Sequence, residues 1–216
     1  MRAWLGGPGR PGDLPGWVRG TLTEICTGSR VPPAVKHPLG FLCVQLYRSA
    51  GWGLCMHIWG SRQTPSTLTT SAIHSHSWDL SSQVICGRLE NLEIRVMNEA
   101  SAPTHRVMEI TSAGGCDVLR PTRRLVSCAS NVSSRIGAGE SYSLPAGAFH
   151  ASKPIAAGLT VTVLLAEDRR TSPDLALGRL DARCHVVRRR ACPVSDLRSI
   201  AGVTLRDLDA RSHDTG

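Results

Sequence analysis

Short apolar runs that alternate with polar positions occupy the middle of the chain and predict β-strands. Residues 41–48 and 53–59 are two such runs, separated by a short Ser-Ala-Gly-Trp link, which is typical of a β-hairpin. Residues 159–165 (LTVTVLL) are almost wholly apolar, which predicts a strand buried on both faces. The further candidate strands cover residues 72–77, 83–86, 89–97, 106–111, 118–130 and 140–144. This pattern predicts an all-β domain of the double-sheet jelly-roll type.

The two ends of the chain differ from the middle in composition. Residues 1–34 are rich in glycine and proline (GGPGRPGDLPG, then VPP), which predicts a flexible extension. After residue 168 the chain becomes basic, and its arginine-rich stretch 184–190 predicts one edge strand. Ser195, followed by apolar residues at 197, 200 and 203, predicts a capped amphipathic helix on the outside of the domain. The predicted units are thus a flexible extension (1–34), a barrel (35–168) and a basic C-terminal extension (169–216).

The formal net charge of +8 comes almost wholly from arginine, because Lys36 and Lys153 are the only lysines. A basic surface favours anionic ligands or nucleic acid. The aromatic side chains that would stack on bases are not interleaved with the arginines, which argues against nucleic-acid binding. We expect no membrane span, since the chain has no apolar run of about 18 residues. The chain starts without a sustained apolar segment and its eight cysteines lack C-x-x-C spacing, so we predict a cytoplasmic protein without disulfides.

Three histidines are spaced so that they can converge on one metal ion. His74 and His76 lie two residues apart in a predicted strand, so both side chains leave the same face. His150 follows a Pro145-Ala146-Gly147 turn about seventy residues later, after enough chain for hairpins to bring the segments together. Imidazole nitrogen is a common ligand of divalent transition metals. The spacing therefore indicates a three-histidine metal site.

The same residues resemble the motifs of the cupin superfamily. The second cupin motif, G-x5-P-x-G-x2-H, is matched at its fixed positions by Gly139, Pro145, Gly147 and His150. The first motif is matched in part by the two earlier histidines and by a glycine at 87, while leucine 80 or serine 81 stands where the family has a glutamate ligand. The resemblance covers roughly residues 40–166. It implies an RmlC-like jelly-roll barrel, a three-histidine variant of the metal site, and a possible homodimer.

Four more residues are candidates for a ligand, substrate-binding or structural role near the metal. Asp79 is the best substitute carboxylate ligand by type, although alternation from His76 places it on the opposite face unless a bulge intervenes; otherwise it orients a histidine or caps the turn. Arg48 either forms a salt bridge with a substrate carboxylate or serves solubility at an edge. Tyr142 is a candidate substrate hydrogen-bonding residue. Trp78 reads as a hydrophobic anchor or as a lid on the pocket, with the anchor favoured.

The ligand type leaves the metal and the reaction open. Fe(II) is the first expectation because three histidines on one side leave room for a chelating substrate and dioxygen; zinc, manganese and nickel are alternatives. The resemblance then implies a mononuclear non-haem iron dioxygenase acting on a small, anionic molecule, since neutral ligands leave the metal more positive. Two alternatives stay open: a non-redox isomerase, lyase or hydrolase that uses the metal as Lewis acid, and a non-enzymatic cupin that binds a small molecule.

Overall fold

Two antiparallel sheets and two helices make up the computed structural model, which describes residues 13–60, 68–99, 101–155, 158–168 and 173–213, with only the backbone described at 130, 131 and 211–213. The helices are α1 (Leu14–Thr27) and α2 (Val194–His213). The strands are β1 (Ala34–Lys36), β2 (Leu42–Arg48), β3 (Trp52–Trp59), β4 (His74–Ser75), β5 (Trp78–Cys86), β6 (Arg88–Asn98), β7 (His105–Ala113), β8 (Cys116–Gly137), β9 (Ser141–Leu144), β10 (His150–Pro154), β11 (Thr160–Asp168), β12 (Asp174–Gly178), β13 (His185–Arg188) and β14 (Arg190–Ala191).

Each sheet has seven strands among the described residues. The first has the order β14-β1-β2-β3-β11-β5-β9, and the second has the order β13-β8-β6-β10-β4-β12-β7. Strand β8 also pairs with β7, so the order of the second sheet closes on itself. The many crossovers between sequence-distant strands confirm the prediction of an all-β jelly-roll fold.

The predicted hairpin packs in the hydrophobic core with one face and lines a cavity with the other. Strands β2 and β3 pair in antiparallel fashion, with Leu42 opposite Ile58 and Cys43 opposite His57. One face carries fully buried leucine, valine, methionine and isoleucine side chains, which pack in the same core cluster as both helices. Because side chains alternate along a strand, the intervening residues point to the other face, where they line a cavity between the two sheets. The apolar strand predicted at 159–165 is β11, which lies between β3 and β5.

The N-terminal segment differs from the predicted flexible extension, because residues 14–27 form a packed helix. Asp13 caps it: the Asp13 Oδ1 atom accepts a hydrogen bond of 2.9 Å from the backbone N–H of Gly16. The helix ends at Gly28, whose φ of 81° is the left-handed conformation that favours glycine. Its buried side chains are Leu14, Val18, Thr21, Leu22 and Ile25. The high glycine and proline content suggested a flexible segment, although the apolar residues of this helix have helical spacing. Residues 1–12 lie outside the described residues.

The C-terminal boundary also differs from the prediction, since strands beyond residue 168 belong to the sheets. Strand β12 lies between β4 and β7 and is thus an interior strand. Strand β13 is the predicted edge strand and pairs with β8. Helix α2 is the helix predicted after Ser195; it packs against α1 and buries Leu197, Ala201 and Leu208. The predicted extension therefore completes the two sheets and covers the outer face of the first one.

Strand β8 is longer than predicted and is not an outer strand. It runs from Cys116 to Gly137 and pairs with β6, β7 and β13 along its length. All eight cysteines are free thiols. Among the described residues, neither helix combines the length and apolar character needed to cross a membrane.

Candidate metal centre

The three histidines predicted from spacing lie together inside the second sheet. His74 and His150 are direct cross-strand partners, because β4 and β10 are adjacent in that sheet. The ring centroids of His74 and His150 are 4.4 Å apart, those of His74 and His76 are 4.8 Å apart, and those of His76 and His150 are 5.4 Å apart. One nitrogen of each ring lies within 4.8 Å of the other two. This grouping of three imidazoles is one that could hold a single metal ion.

The turn before His150 is hydrogen-bonded to the segment that contains His76, directly after β4. The backbone N–H of Gly147 donates a 2.8 Å hydrogen bond to the carbonyl oxygen of His76. Gly147 has a φ of 82°, which is the conformation that the predicted turn requires of a glycine. The backbone N–H of Ala146 donates a 2.8 Å hydrogen bond to the Asp79 Oδ1 atom. The motif thus fixes the position of His150 relative to His76 through the backbone.

Hydrogen bonds at Nδ1 leave the other ring nitrogen of two histidines available as a ligand. The His74 Nδ1 atom donates to the Ala72 carbonyl oxygen at 2.9 Å. The His150 Nδ1 atom donates to Asn91 Oδ1 at 3.1 Å, and that oxygen also accepts from the Ser152 hydroxyl at 2.9 Å. Such bonds fix the tautomer and the ring direction in metal sites. The Nε2 atom of each ring is then unprotonated and free to coordinate a cation.

The Nε2 atom of His150 is buried and has no hydrogen-bond partner among the described residues. His150 is only 4% exposed. A buried polar atom without a partner costs about 1–3 kcal/mol, so native proteins rarely retain one without a reason. The neighbouring imidazoles and the orphaned nitrogen together fit a metal ion bound by three histidines.

All three imidazoles are neutral at neutral pH. Burial lowers the pKa of His150 to about 3 and also lowers the pKa of His74. The pKa of His76 lies well below its usual value because of burial and then because of the neighbouring His74 and His150. Neutral imidazole is the form that binds metal, whereas protonated imidazole competes with it. The site is therefore in its ligating state without loss of a proton.

The histidines open into a cavity of about 420 Å³ between the two sheets. One wall is aromatic: the Phe41 ring stacks on His37 with centroids 4.4 Å apart, and contacts His57 at 4.4 Å and Trp59 at 4.9 Å. Trp78 stacks on His76 with ring centroids 3.9 Å apart. Trp78 also packs against the apolar cluster around Leu80 and Leu144. It is thus the predicted hydrophobic anchor and at the same time part of the cavity wall beside the three histidines.

Two arginines line the cavity, of which the sequence analysis named one. Arg48, at the end of β2, is exposed and lines the cavity as a candidate substrate-binding residue. Arg189 lies just beyond β13, and its Nε atom donates to both carboxylate oxygens of Asp117 at 2.8 and 2.9 Å. The Arg189 Nη2 atom also donates to the Ser112 hydroxyl at 3.0 Å. Arg189 was missed because it sits in a run of arginines that looked like solvated charge on an edge strand.

Tyr142 lies in the cavity wall with the histidines, whereas Asp79 does not belong to the histidine group. Tyr142 lines the cavity, half-buried, and burial raises the pKa of its phenol, which therefore stays protonated as a donor. Asp79 is not part of the histidine group, the one cluster of metal-ligating type within the described ranges. Its carboxylate accepts the backbone N–H of Ala146 in the 145–148 turn, which is the capping role that the sequence also allowed, and its role as a metal ligand stays a prediction.

Two further histidines, His37 and His57, line the same cavity. Burial lowers the pKa of each to about 3. Asn91, which orients His150, was missed, although a polar residue at an inward position of an alternating strand was a usable signal. His37 gave no such signal, because it lies in a short turn without periodicity.

No protein-family model matches the chain, and comparison with curated proteins likewise gave no match. Among solved structures, the chain is similar to KdgF from Halomonas sp. (12% identity, 60% of this chain and 81% of that chain, TM-score 0.32). It is also similar to a hypothetical protein from Leishmania major (15% identity, 67% and 79% of the two chains, TM-score 0.37). A third likeness is to procruciferin, an 11S globulin from Brassica napus (14% identity, 73% and 34%, TM-score 0.36). Likenesses this distant carry no functional conclusion, which must come from the site itself.

Proposed function

We propose that this protein is a metal-dependent enzyme of the cupin type, in which His74, His76 and His150 hold one divalent transition metal. The observation that carries the proposal is the convergence of three neutral imidazoles, with a buried Nε2 atom of His150 that has no partner among the described residues. The match to the second cupin motif and the jelly-roll fold support the same assignment.

Iron(II) is the metal that we propose, with zinc, manganese or nickel as the alternatives. Three histidines on one wall leave the cavity side of the ion open. When bound, iron(II) supplies redox chemistry toward dioxygen, so the proposed activity is that of a mononuclear non-haem dioxygenase. Zinc, manganese or nickel in the same site supplies Lewis-acid chemistry, for an isomerase, lyase or hydrolase.

A small anionic molecule is the proposed substrate. No carboxylate joins the described histidine group, so the ion keeps its full positive charge and attracts an anionic chelating group. Arg48 and Arg189 add positive charge to the cavity wall, while Asp117 neutralises part of that of Arg189. A cavity of about 420 Å³ with one aromatic wall fits a small metabolite.

The chain's own residues bind and orient this substrate. Arg48 donates hydrogen bonds to an acidic group at the exposed end of the cavity. Tyr142 donates its phenolic proton, which the raised pKa keeps in place at neutral pH. Trp78 covers the ring of His76 and restricts water on that side of the ligands. Asp117 holds the guanidinium of Arg189 in one orientation through two hydrogen bonds.

Metal content tests the proposal directly. We expect protein purified from rich medium to carry near one equivalent of metal per chain, and His74→Ala and His150→Ala variants to carry almost none. His57→Ala is the matched control, because His57 lines the same cavity but lies outside the histidine group. Unchanged metal content in both ligand variants, with folding verified by circular dichroism, would contradict the proposal.

Oxygen uptake separates the two kinds of chemistry. With a panel of small chelating carboxylic acids, the iron-loaded protein is expected to consume dioxygen, and the Arg48→Ala variant to need more substrate for the same rate. Turnover that is independent of dioxygen and supported by zinc would select the Lewis-acid alternative. A tightly bound ligand without any turnover would select a non-enzymatic binding protein.

A further inference from the structure

The cavity beside the three histidines collects much of the chain's small supply of aromatic side chains. The whole sequence has two phenylalanines, two tyrosines and five tryptophans. Four of these residues line the cavity: Phe41, Trp59, Trp78 and Tyr142. The imidazoles of His37 and His57 add two more flat rings to the same lining. Since the side chains that line a pocket match the ligand it receives, this enrichment indicates a ligand with a flat apolar part.

Four of the rings form one continuous surface, here called the ring wall: His37, Phe41, His57 and Trp59. The Phe41 ring is at its centre, with centroid distances of 4.4 Å to His37, 4.4 Å to His57 and 4.9 Å to Trp59. The backbone N–H of His37 donates to the Phe41 carbonyl oxygen at 2.8 Å, and its Nδ1 atom accepts from the N–H of Leu39 at 3.2 Å. The ring wall is therefore held in place by its own turn, which favours binding without reorganisation.

The ring wall and the three-histidine group belong to different sheets. His57 and Trp59 lie two residues apart in β3 of the first sheet, so both side chains leave the same face. His74 and His150 lie on adjacent strands of the second sheet. Both sets of side chains line the same cavity. A bound molecule can therefore place a flat face on the first sheet and its donor atoms toward the second.

The ring wall carries no charge at neutral pH. Burial lowers the pKa of His37 and of His57 to about 3, so both imidazoles are neutral. Phenylalanine and tryptophan have no ionisable group. The ring wall thus offers ring faces but no cation, and an acidic group of the ligand gains nothing from contact with it. The favourable direction for such a group is toward the proposed metal.

We propose that the substrate is a monocyclic aromatic acid, whose ring packs on the ring wall while its acidic group faces His74, His76 and His150. This inference rests on the proposed function, because the metal supplies the attraction for the acidic group. Aromatic rings pack on one another in tilted or offset arrangements with centroids about 4.5–7 Å apart. The cavity of about 420 Å³ is near the lower end of the range of about 300–1,000 Å³ for ligand pockets, which suits one ring with short polar groups.

Binding of benzoate and of cyclohexanecarboxylate tests the ring preference. The two probes have the same charge at neutral pH and nearly the same size, but only benzoate is flat. Cyclohexanecarboxylate is the more apolar probe, so a cavity that merely buries apolar surface favours it. Affinities for the full-length protein are measured by ligand-detected NMR titration. We expect benzoate to bind about 3- to 10-fold more tightly, which is the effect of one favourable contact between rings.

Substitutions at His57 test whether the preference arises at the ring wall. His57→Leu removes a flat ring and keeps an apolar side chain, so the preference for benzoate should disappear. His57→Phe retains a ring and should keep the preference. Tyr47→Leu is the control, because Tyr47 stacks on Trp52 and is not among the residues described as lining the cavity.

The same titrations with His74→Ala separate this inference from the metal proposal. Both probes should bind more weakly to that variant, but benzoate should still bind more tightly than cyclohexanecarboxylate. Normal metal content together with equal binding of the two probes overturns the ring preference alone, whereas a ring preference in a protein that never binds metal overturns the metal proposal alone. Tighter binding of cyclohexanecarboxylate, no binding of either probe, or an unchanged preference in His57→Leu also overturns the inference.

Discussion

At the scale of single residues, the hydrogen bonding of His150 leaves one of its ring nitrogens available as a ligand. Its Nδ1 atom is satisfied by Asn91, and its Nε2 atom is buried without a partner among the described residues. Asn91 is itself 1% exposed and also binds Ser152. A buried polar pair of this kind is justified by what it orients. Asn91 is therefore a positioning residue for the proposed metal.

The Asn91→Ala variant should bind metal more weakly while keeping all three ligands. Loss of a hydrogen bond to a ligating histidine typically lowers metal affinity about 10- to 100-fold. Competition with a chromophoric chelator measures this affinity. The control is Asn91→Asp, which retains an acceptor for the His150 Nδ1–H and should keep most of the affinity. Equal affinity of Asn91→Ala and wild type would show that this bond does not orient the ring.

At the scale of elements, the 145–148 turn links β9 to β10 and is hydrogen-bonded to a segment that is distant in sequence, residues 76–79. It is held on one side by the Gly147 N–H bond to the His76 carbonyl and on the other by the Asp79 carboxylate. The carbonyl oxygen of Pro145 accepts from the N–H of Ala148 at 3.1 Å and closes the turn itself. The spacing of Pro145 and Gly147 thus has a structural role: it sets the start of β10, and hence His150, beside β4.

The Asp79→Ala variant distinguishes a turn cap from a metal ligand. Removing the acceptor of the Ala146 N–H should lower the free energy of unfolding by about 1.5–3 kcal/mol, the range for hydrogen bonds to charged groups. The metal content should stay near that of wild type, because the three imidazoles are unchanged. Chemical denaturation and elemental analysis measure the two effects, and Asp79→Asn, which retains an oxygen acceptor, is the control. Loss of metal at unchanged stability would identify Asp79 as a ligand.

At the scale of the whole molecule, the first sheet separates two environments. Both helices cover its outer face with aliphatic side chains, and its inner face, with the second sheet, encloses the cavity. Five histidines line this cavity, and burial lowers the pKa of every one of them: His37, His57, His74, His76 and His150. Their neutral state is therefore a property of the closed fold and is lost when the chain unfolds.

The metal-free protein should lose stability as the pH falls from about 6.5 toward 3. In the unfolded chain His57 has its ordinary pKa near 6.5, whereas in the folded protein its pKa is about 3. Between these values the unfolded state binds the additional proton, so the free energy of unfolding falls by up to about 1.4 kcal/mol per pH unit for such a histidine. Stability from this source is fully present above pH 6.5.

Denaturant titrations of the metal-free protein across this pH range measure the effect. The His57→Phe variant, which places a non-titrating ring beside Phe41 and Trp59, should show a shallower dependence than wild type. Equal slopes in wild type and His57→Phe would show that His57 is protonated in the folded protein.

The strand-rich fold and the hairpin of β2 and β3 could be predicted from the sequence alone, because alternation and turn residues act over a few positions. The meeting of His150 with His74 and His76 could be predicted only through the resemblance to the cupin motifs, because these residues are distant in sequence. Only the tertiary structure decided that residues 14–27 pack as a helix, that β12 completes a sheet, and that Asp79 caps a turn. It alone also brought Arg189 to the same cavity as the histidines and Asn91 into contact with His150. The physical reason is that local patterns fix which face a side chain takes, whereas its neighbours depend on which distant strands pair with its own.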